Sequence, residues 1–95
     1  MAATTRTVAI VNELGLHARA AAKFVKLAAT FNATIKVSKI GHGATTEEIV
    51  SGNSILGLMM LGAGAGDKIE IVTDGPDGDA ALAALGELVD AGFYE

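Results

Sequence analysis

The chain has 95 residues, 51% of them apolar, with no cysteine and a formal net charge of −4. That length makes a single small domain over 1–95, able to bury roughly 60–65 % of the surface its unfolded chain exposes. A disulfide framework and thiolate metal ligation are excluded, His17 and His42 lack the spacing of a familiar zinc site, and an acidic balance argues against general nucleic-acid binding. No apolar run approaches the ~18–20 residues of a membrane span and no signal-peptide pattern opens the chain, so a soluble, cytoplasmic protein is expected; a monomer is the accompanying expectation.

Thr5 to Val11 reads as a strand, with Thr5, Thr7, Val8, Ile10 and Val11 all β-branched. The run Gly15-Leu16-His17-Ala18-Arg19-Ala20-Ala21-Ala22 then sets one histidine just before an alanine-rich helix predicted from Ala18 to Phe31. Phe24, Val25, Leu27 and Phe31, with Ala21 and Ala28, form its apolar stripe, while Lys23 and Lys26 lie towards the edge or the solvent. Asn32 is the expected stop. Thr34 to Ile40 alternates as a second strand, placing Ile35, Val37 and Lys39 on one face. Gly41-His42-Gly43-Ala44 is a turn, and Glu47 to Ser51 a short third strand. Ser54 opens a helix from Ile55 to Leu61. Gly62 to Gly66 leads into a last strand, Lys68 to Thr73. Asp74-Gly75-Pro76-Asp77-Gly78 is turn chemistry. The final helix, Asp79 to Ala91, buries Ala81, Leu82, Leu85, Leu88 and Val89, and Asp77 and Asp79 suit its positive end. The order βαββαβα predicts an α+β open-faced β-sandwich: a four-stranded, mainly antiparallel sheet covered on one face by three helices.

The chemistry is sparse and local. A helix start leaves backbone N–H groups unpaired and carries partial positive charge, so it favours anions such as phosphate. His17 stands at such a start with Arg19 two residues on. A histidine merely near a helix end, and a solvated arginine, are the plainer readings of those two residues alone. Ser54 is a good N-cap for the helix that follows. That helix carries more apolar surface than one buried stripe holds: Ile55, Leu58 and Leu61 compete with Leu56, Met59 and Met60 for the core. Exposed apolar residues mark a partner surface, and methionine adapts to several partners. Gly62 to Gly66 leaves a helix and enters a strand, the reverse of a nucleotide-binding fingerprint, and reads as a connector. His42 has no assigned role, and Phe93-Tyr94-Glu95 reads as terminal packing.

Gly15-Leu16-His17-Ala18-Arg19 closely resembles the active-site motif of the HPr family, the histidine phosphocarriers of the phosphoenolpyruvate-dependent phosphotransferase system. Asn53-Ser54-Ile55-Leu56-Gly57-Leu58-Met59-Met60-Leu61-Gly62 resembles that family's regulatory-serine segment, in a form similar to the nitrogen-type branch. The resemblance spans essentially the whole chain. It implies that His17 accepts phosphate on Nδ1 from enzyme I and passes it to an enzyme IIA protein, in sugar uptake or in a regulatory phosphotransferase chain, as a carrier and not an enzyme, and without a cofactor. It further implies that Arg19 pairs with phosphoryl oxygens, and Ala18 and Ala20 are candidates to offer backbone N–H groups. Ile55, Leu56 and Met59 would dock partners, with Lys26 adding an electrostatic contact. Ser54 would be the target of an HPr kinase/phosphorylase. Two departures stand out: Ala20 where the family usually has proline, and Asn53 where many kinase-regulated members have lysine. The rival expectation is an interaction module of the same fold that works by docking, with Ser54 as its switch. A small ligand-binding α+β domain is disfavoured by the lack of a convergent polar cluster.

Overall fold

The computed structural model describes residues 3–40 and 49–95. The turn at Gly41 to Ala44, including His42, and the start of the third strand at Glu47 and Glu48 lie outside the described residues. The elements run β1 (Thr4–Ala9), α1 (Ala18–Ala28), β2 (Thr34–Ile40), β3 (Ile49–Ser51), α2 (Ile55–Met60), β4 (Lys68–Asp74) and α3 (Gly78–Asp90), followed by a short closing turn, Gly92–Tyr94. The predicted order and the α+β open-sheet class are both present.

The sheet order is β1-β4-β2-β3 and every pairing is antiparallel. Thr4 to Ala9 face Thr73 to Lys68, and Thr34 to Ile40 face Asp74 to Lys68, so β4 is hydrogen-bonded on both edges. Side chains alternate across a strand. Accordingly Ile69, Ile71 and Thr73 of β4, Ile35 and Val37 of β2, and Val8 of β1 are buried beneath the helices. Phe24 of α1, Leu58 of α2, and Ala81, Leu85 and Val89 of α3 close the core from the other side, each with no exposed surface. Lys39, expected on the inward face of β2, is half-buried, with its Nζ 3.7 Å from Asp67 Oδ2, so its charge reaches a carboxylate.

Among the described residues two boundaries differ from the sequence reading by more than one residue, each for a local reason. β1 stops at Ala9, not Val11, because its partner β4 begins at Lys68. Ile10 instead exchanges hydrogen bonds with the preceding loop (Ile10 N to Asp67 O, 2.8 Å; Gly66 N to Ile10 O, 2.8 Å), and Val11 is exposed. α1 ends at Ala28, not Phe31. Thr30 N reaches Leu27 O (3.0 Å) and Phe31 N reaches Ala28 O (3.2 Å), the tighter three-residue spacing, while Thr30 Oγ1 also donates to Leu27 O at 2.7 Å. The last turn thus unwinds before Asn32. Asn32 N donates to Asp77 Oδ2 at 2.7 Å, so Asp77 ties the α1–β2 connection to the start of α3 instead of capping its own helix with its side chain.

Candidate functional site

The loop before α1 is built to hold one residue still. Gly15 has φ +65°, a left-handed conformation that glycine adopts without strain. A Cβ there would press on Ala63 O and come within 2.7 Å of Gly64 Cα. Asn12 Nδ2 donates to Gly15 O at 2.8 Å, Gly15 N donates to Asn12 O at 3.2 Å, and Leu16 N donates to Ala63 O at 3.0 Å. The Gly62–Gly66 segment therefore connects α2 to β4, as expected, and also braces the histidine loop.

His17 is the N-cap of α1, with extended backbone (φ −73°, ψ 177°) and a carbonyl that accepts from Ala21 N at 2.9 Å. Its side chain takes no part in capping. The amides of Ala18, Arg19 and Ala20 precede the first helical bond and have no acceptor within the helix. No acidic residue stands in the first turn, so no side chain of the helix's own first turn offsets its partial positive charge. Ala18 and Arg19 are exposed, whereas Ala20 has no exposed surface and packs into the core. The amides open to an incoming anion are thus those of Ala18 and Arg19. The Arg19 side chain has no ion pair among the described residues.

The histidine ring has a partner that the sequence did not reveal. His17 Nε2 lies 2.5 Å from Glu95 Oε2, and Glu95 Oε1 accepts from Asn12 Nδ2 at 3.0 Å. Nδ1 has no hydrogen-bond partner among the described residues. Reading Phe93-Tyr94-Glu95 as packing alone is corrected here: Phe93 is fully buried, but Glu95 sits on the candidate site. Burial of the Glu95 carboxyl opposes its ionisation. Hydrogen bonds from Asn12 and His17, with the charge of Lys23 and that of the His17 ring when it is protonated, outweigh that and hold its pKa below the ordinary carboxylate value.

The tail reaches the ring through an unusual backbone. Gly92, Phe93 and Tyr94 have φ of 65°, 58° and 58°, which costs about 1–3 kcal/mol at each non-glycine position. Burying the Phe93 ring returns about 1.5–3 kcal/mol, and Lys23 Nζ donates to Phe93 O at 2.6 Å. Among the described residues Asn12 Oδ1 is buried without a partner, a further cost of about 1–3 kcal/mol carried beside the histidine. Asn12, Lys23 and Glu95 were all missed in the sequence, where nothing local distinguishes them.

Ser54 is the N-cap of α2, its Oγ accepting from Gly57 N at 2.9 Å and its carbonyl accepting from Leu58 N at 3.0 Å. Leu58 and Leu61 turn inward. Ile55, Leu56, Met59 and Met60 remain exposed, Leu56 at 67% and Met60 at 73%. Lys26 is exposed in the last turn of α1. It stands nine positions beyond His17, about 13 Å along the axis at ~1.5 Å per residue, so the structure does not gather it with the histidine. Among the described residues no three His, Cys, Asp or Glu side chains cluster as a metal site, and no helix is long and apolar enough to cross a membrane.

Residues 4–91 match the family model described as the PTS HPr component phosphorylation site. The chain belongs to the HPr family. This HPr-family chain is 44% identical over 88 residues to the phosphocarrier protein HPr of Pseudomonas aeruginosa, a match covering 93% of the chain and 92% of that relative. It is 47% identical over 90 residues to the phosphocarrier protein NPr of Shewanella violacea, covering 95% and 92%. Among solved structures, the crystal structure of HPr from Bacillus anthracis superposes with a TM-score of 0.81 at 38% identity, covering 94% of this chain and 99% of that one. The HPr-C-His structure from Thermoanaerobacter tengcongensis gives 0.84 at 35% identity, covering 97% of each. The phosphotransferase-system phosphocarrier family expected from the two motifs is therefore the one found.

Proposed function

We propose that this chain accepts a phosphoryl group on His17 Nδ1 from phospho-enzyme I and passes it to an enzyme IIA protein in the cytoplasm. The observation that carries the reading is the placement of His17 at the N-cap of α1, its side chain spared from capping, beside the open amides of Ala18 and Arg19. An imidazole in its neutral form is a nucleophile needing no separate base. The arriving phosphoryl oxygens meet a helix end and, through Arg19, a planar guanidinium fork. A helix end contributes only ~0.3–1 kcal/mol per charge, which stabilises the adduct without trapping it. The chain supplies position and charge compensation; the partners supply specificity and turnover.

The exposed apolar face of α2, at Ile55, Leu56 and Met59, serves as the docking surface for both partners. Lys26, at the far end of α1, contributes long-range attraction and not a contact at the histidine. Ser54 serves as a regulatory phosphorylation site for an HPr kinase/phosphorylase. A phosphate there adds roughly −1.5 to −2 charges at a helix N-terminus that tolerates them and beside an apolar face that does not.

The test is incubation with enzyme I and phosphoenolpyruvate, followed by assay for acid-labile phosphate. Wild type should be labelled and His17→Ala should not. Equal labelling of both, or of neither, removes the carrier reading; the docking module would then be left, recognised by partner binding that His17→Ala leaves intact. Labelling by the kinase with ATP should vanish in Ser54→Ala.

A further inference from the structure

The Gly92–Tyr94 turn is a strained strap that ends on the histidine. Phe93 anchors it in the core, Lys23 Nζ holds its carbonyl, and Glu95 is gripped at both carboxylate oxygens by two different side chains, Asn12 at 3.0 Å and His17 at 2.5 Å. Asn12 is only 7% exposed and is itself fixed to Gly15 O at 2.8 Å. The carboxylate is thus placed by the same loop that places the histidine. Strain retained by surrounding packing is a mark of functional sites.

The direction of the Glu95–His17 bond follows from its chemistry. An ionised carboxylate only accepts, so the proton in this contact belongs to Nε2. A neutral imidazole carries one ring proton, which leaves the lone pair on Nδ1.

We infer that Glu95 is a positioning residue: it holds His17 as the Nε2–H tautomer, so that Nδ1 is the nucleophile, and it balances the positive charge the ring acquires on phosphorylation. This rests on the phosphocarrier reading. In the step, the Nδ1 lone pair forms the new N–P bond while the bond from phosphorus to the donor's phosphohistidine nitrogen breaks, its electron pair returning to that nitrogen. No proton leaves His17. The ring becomes a cation whose Nε2–H stays on Glu95 Oε2, and donation to the next protein runs the same exchange in reverse. The logic parallels that of the aspartate behind a triad histidine, which fixes the tautomer and stabilises the imidazolium without taking the proton. Lys23 is the other charged group bearing on Glu95; it adds a smaller contribution to the hydrogen bonds that favour the ionised carboxylate, and it bonds the strap and not the ring.

The experiment pairs ring spectroscopy with single-turnover kinetics on the full chain. In ¹⁵N-labelled wild type near neutral pH, Nδ1 should be the unprotonated ring nitrogen and the Nε2 proton should exchange slowly with water. Glu95→Gln and Glu95→Ala should lose that protection and accept phosphate from phospho-enzyme I roughly tenfold more slowly, the scale of one hydrogen bond to a charged group. Glu95→Asp should restore part of both. A Glu95→Gln chain phosphorylated at the wild-type rate overturns the inference, as does a wild-type ring protonated on Nδ1. A wild type that enzyme I never labels removes the carrier reading and this inference with it, an outcome distinguished by its blank wild-type lane.

Discussion

Replacing Gly15 with alanine should be among the most damaging single-methyl additions in this protein. Two separable costs add there. The left-handed φ of +65° charges a residue with a Cβ about 1–2 kcal/mol. The new methyl would also press on the backbone of Ala63 and Gly64, within 2.7 Å of Gly64 Cα. Backbone cannot rotate away as a side chain does, and overpacking of this kind costs about 1–3 kcal/mol. The sum is roughly 2–5 kcal/mol. For a domain of this size each kcal/mol lowers the melting temperature by about 4–8 °C, so a fall on the order of 10 °C or more is expected in a thermal melt followed by circular dichroism. Gly62 provides the control: its φ is +66°, but a Cβ there meets nothing within 4 Å among the described residues. Gly62→Ala should cost only the conformational share, about 1–2 kcal/mol. Because Leu16 N bonds to Ala63 O, relieving the Gly15 clash moves His17, and phosphoryl acceptance should drop in Gly15→Ala but not in Gly62→Ala. Equal melting temperatures and equal labelling of the two variants would show that the close approach of the loops does not position the histidine.

Ser54→Ala removes the Oγ acceptor from Gly57 N and should cost ~1 kcal/mol, whereas Ser54→Asp keeps the cap; urea unfolding of the two should separate them. Gly86→Ala brings a methyl against the Arg6 guanidinium, which is the free end of a flexible side chain. Loss of the exposed Arg6–Asp90 pair (2.7 Å), worth ~0–1 kcal/mol, is then offset by the ~1 kcal/mol helix gain of alanine over glycine, so stability should change by less than about 1 kcal/mol. Asp67 and Glu95 both ionise below their ordinary values, Asp67 chiefly because Gly64 N donates to it, with Lys39 adding to that against burial, and Glu95 because its hydrogen bonds and charged neighbours exceed its desolvation. A depressed carboxylate contributes stability above its unfolded pKa of about 3.9–4.3 and loses it as pH falls through the lower folded value. Melting temperature should therefore hold from pH 7 to about 5 and decline below about 4, and an Asp67→Asn, Glu95→Gln double variant with an equally steep acid limb would contradict this.

The sheet and the helices were legible in the sequence because their apolar periods are local. Thr34 to Ile40 alternates and is β2 to the residue; Ser54 followed by an apolar run is the capped start of α2. The ends of β1 and α1 were not legible, since they depend on where β4 begins and on a threonine hydroxyl that competes for a helix carbonyl. His17 and Arg19 could be singled out because the helix start that frames them is a neighbour in sequence. Glu95 could not, since its contact with His17 spans 78 positions and depends on three successive left-handed residues, two of them aromatic and against local preference. Asn12 marks only a strand end in the sequence, and its role appears when Gly15 and Glu95 converge on it. Ala20 was singled out for a backbone amide, and the fold instead gives it a packing role.

The order β1-β4-β2-β3 also fixes when this protein can acquire its shape during synthesis. The strand that joins both halves of the sheet, Lys68–Asp74, is the last strand to be made. Before it emerges from the ribosome, β1 has no neighbour and β2 has only the three-residue β3, and a lone two-stranded ribbon is at best marginal in water. The apolar faces of β1, α1 and α2 must wait for β4, and α3 then seals them. Folding is therefore concerted and late, governed by closure of the long β1–β4 loop, and a nascent chain stalled before Asp74 would expose its core to chaperones and proteases.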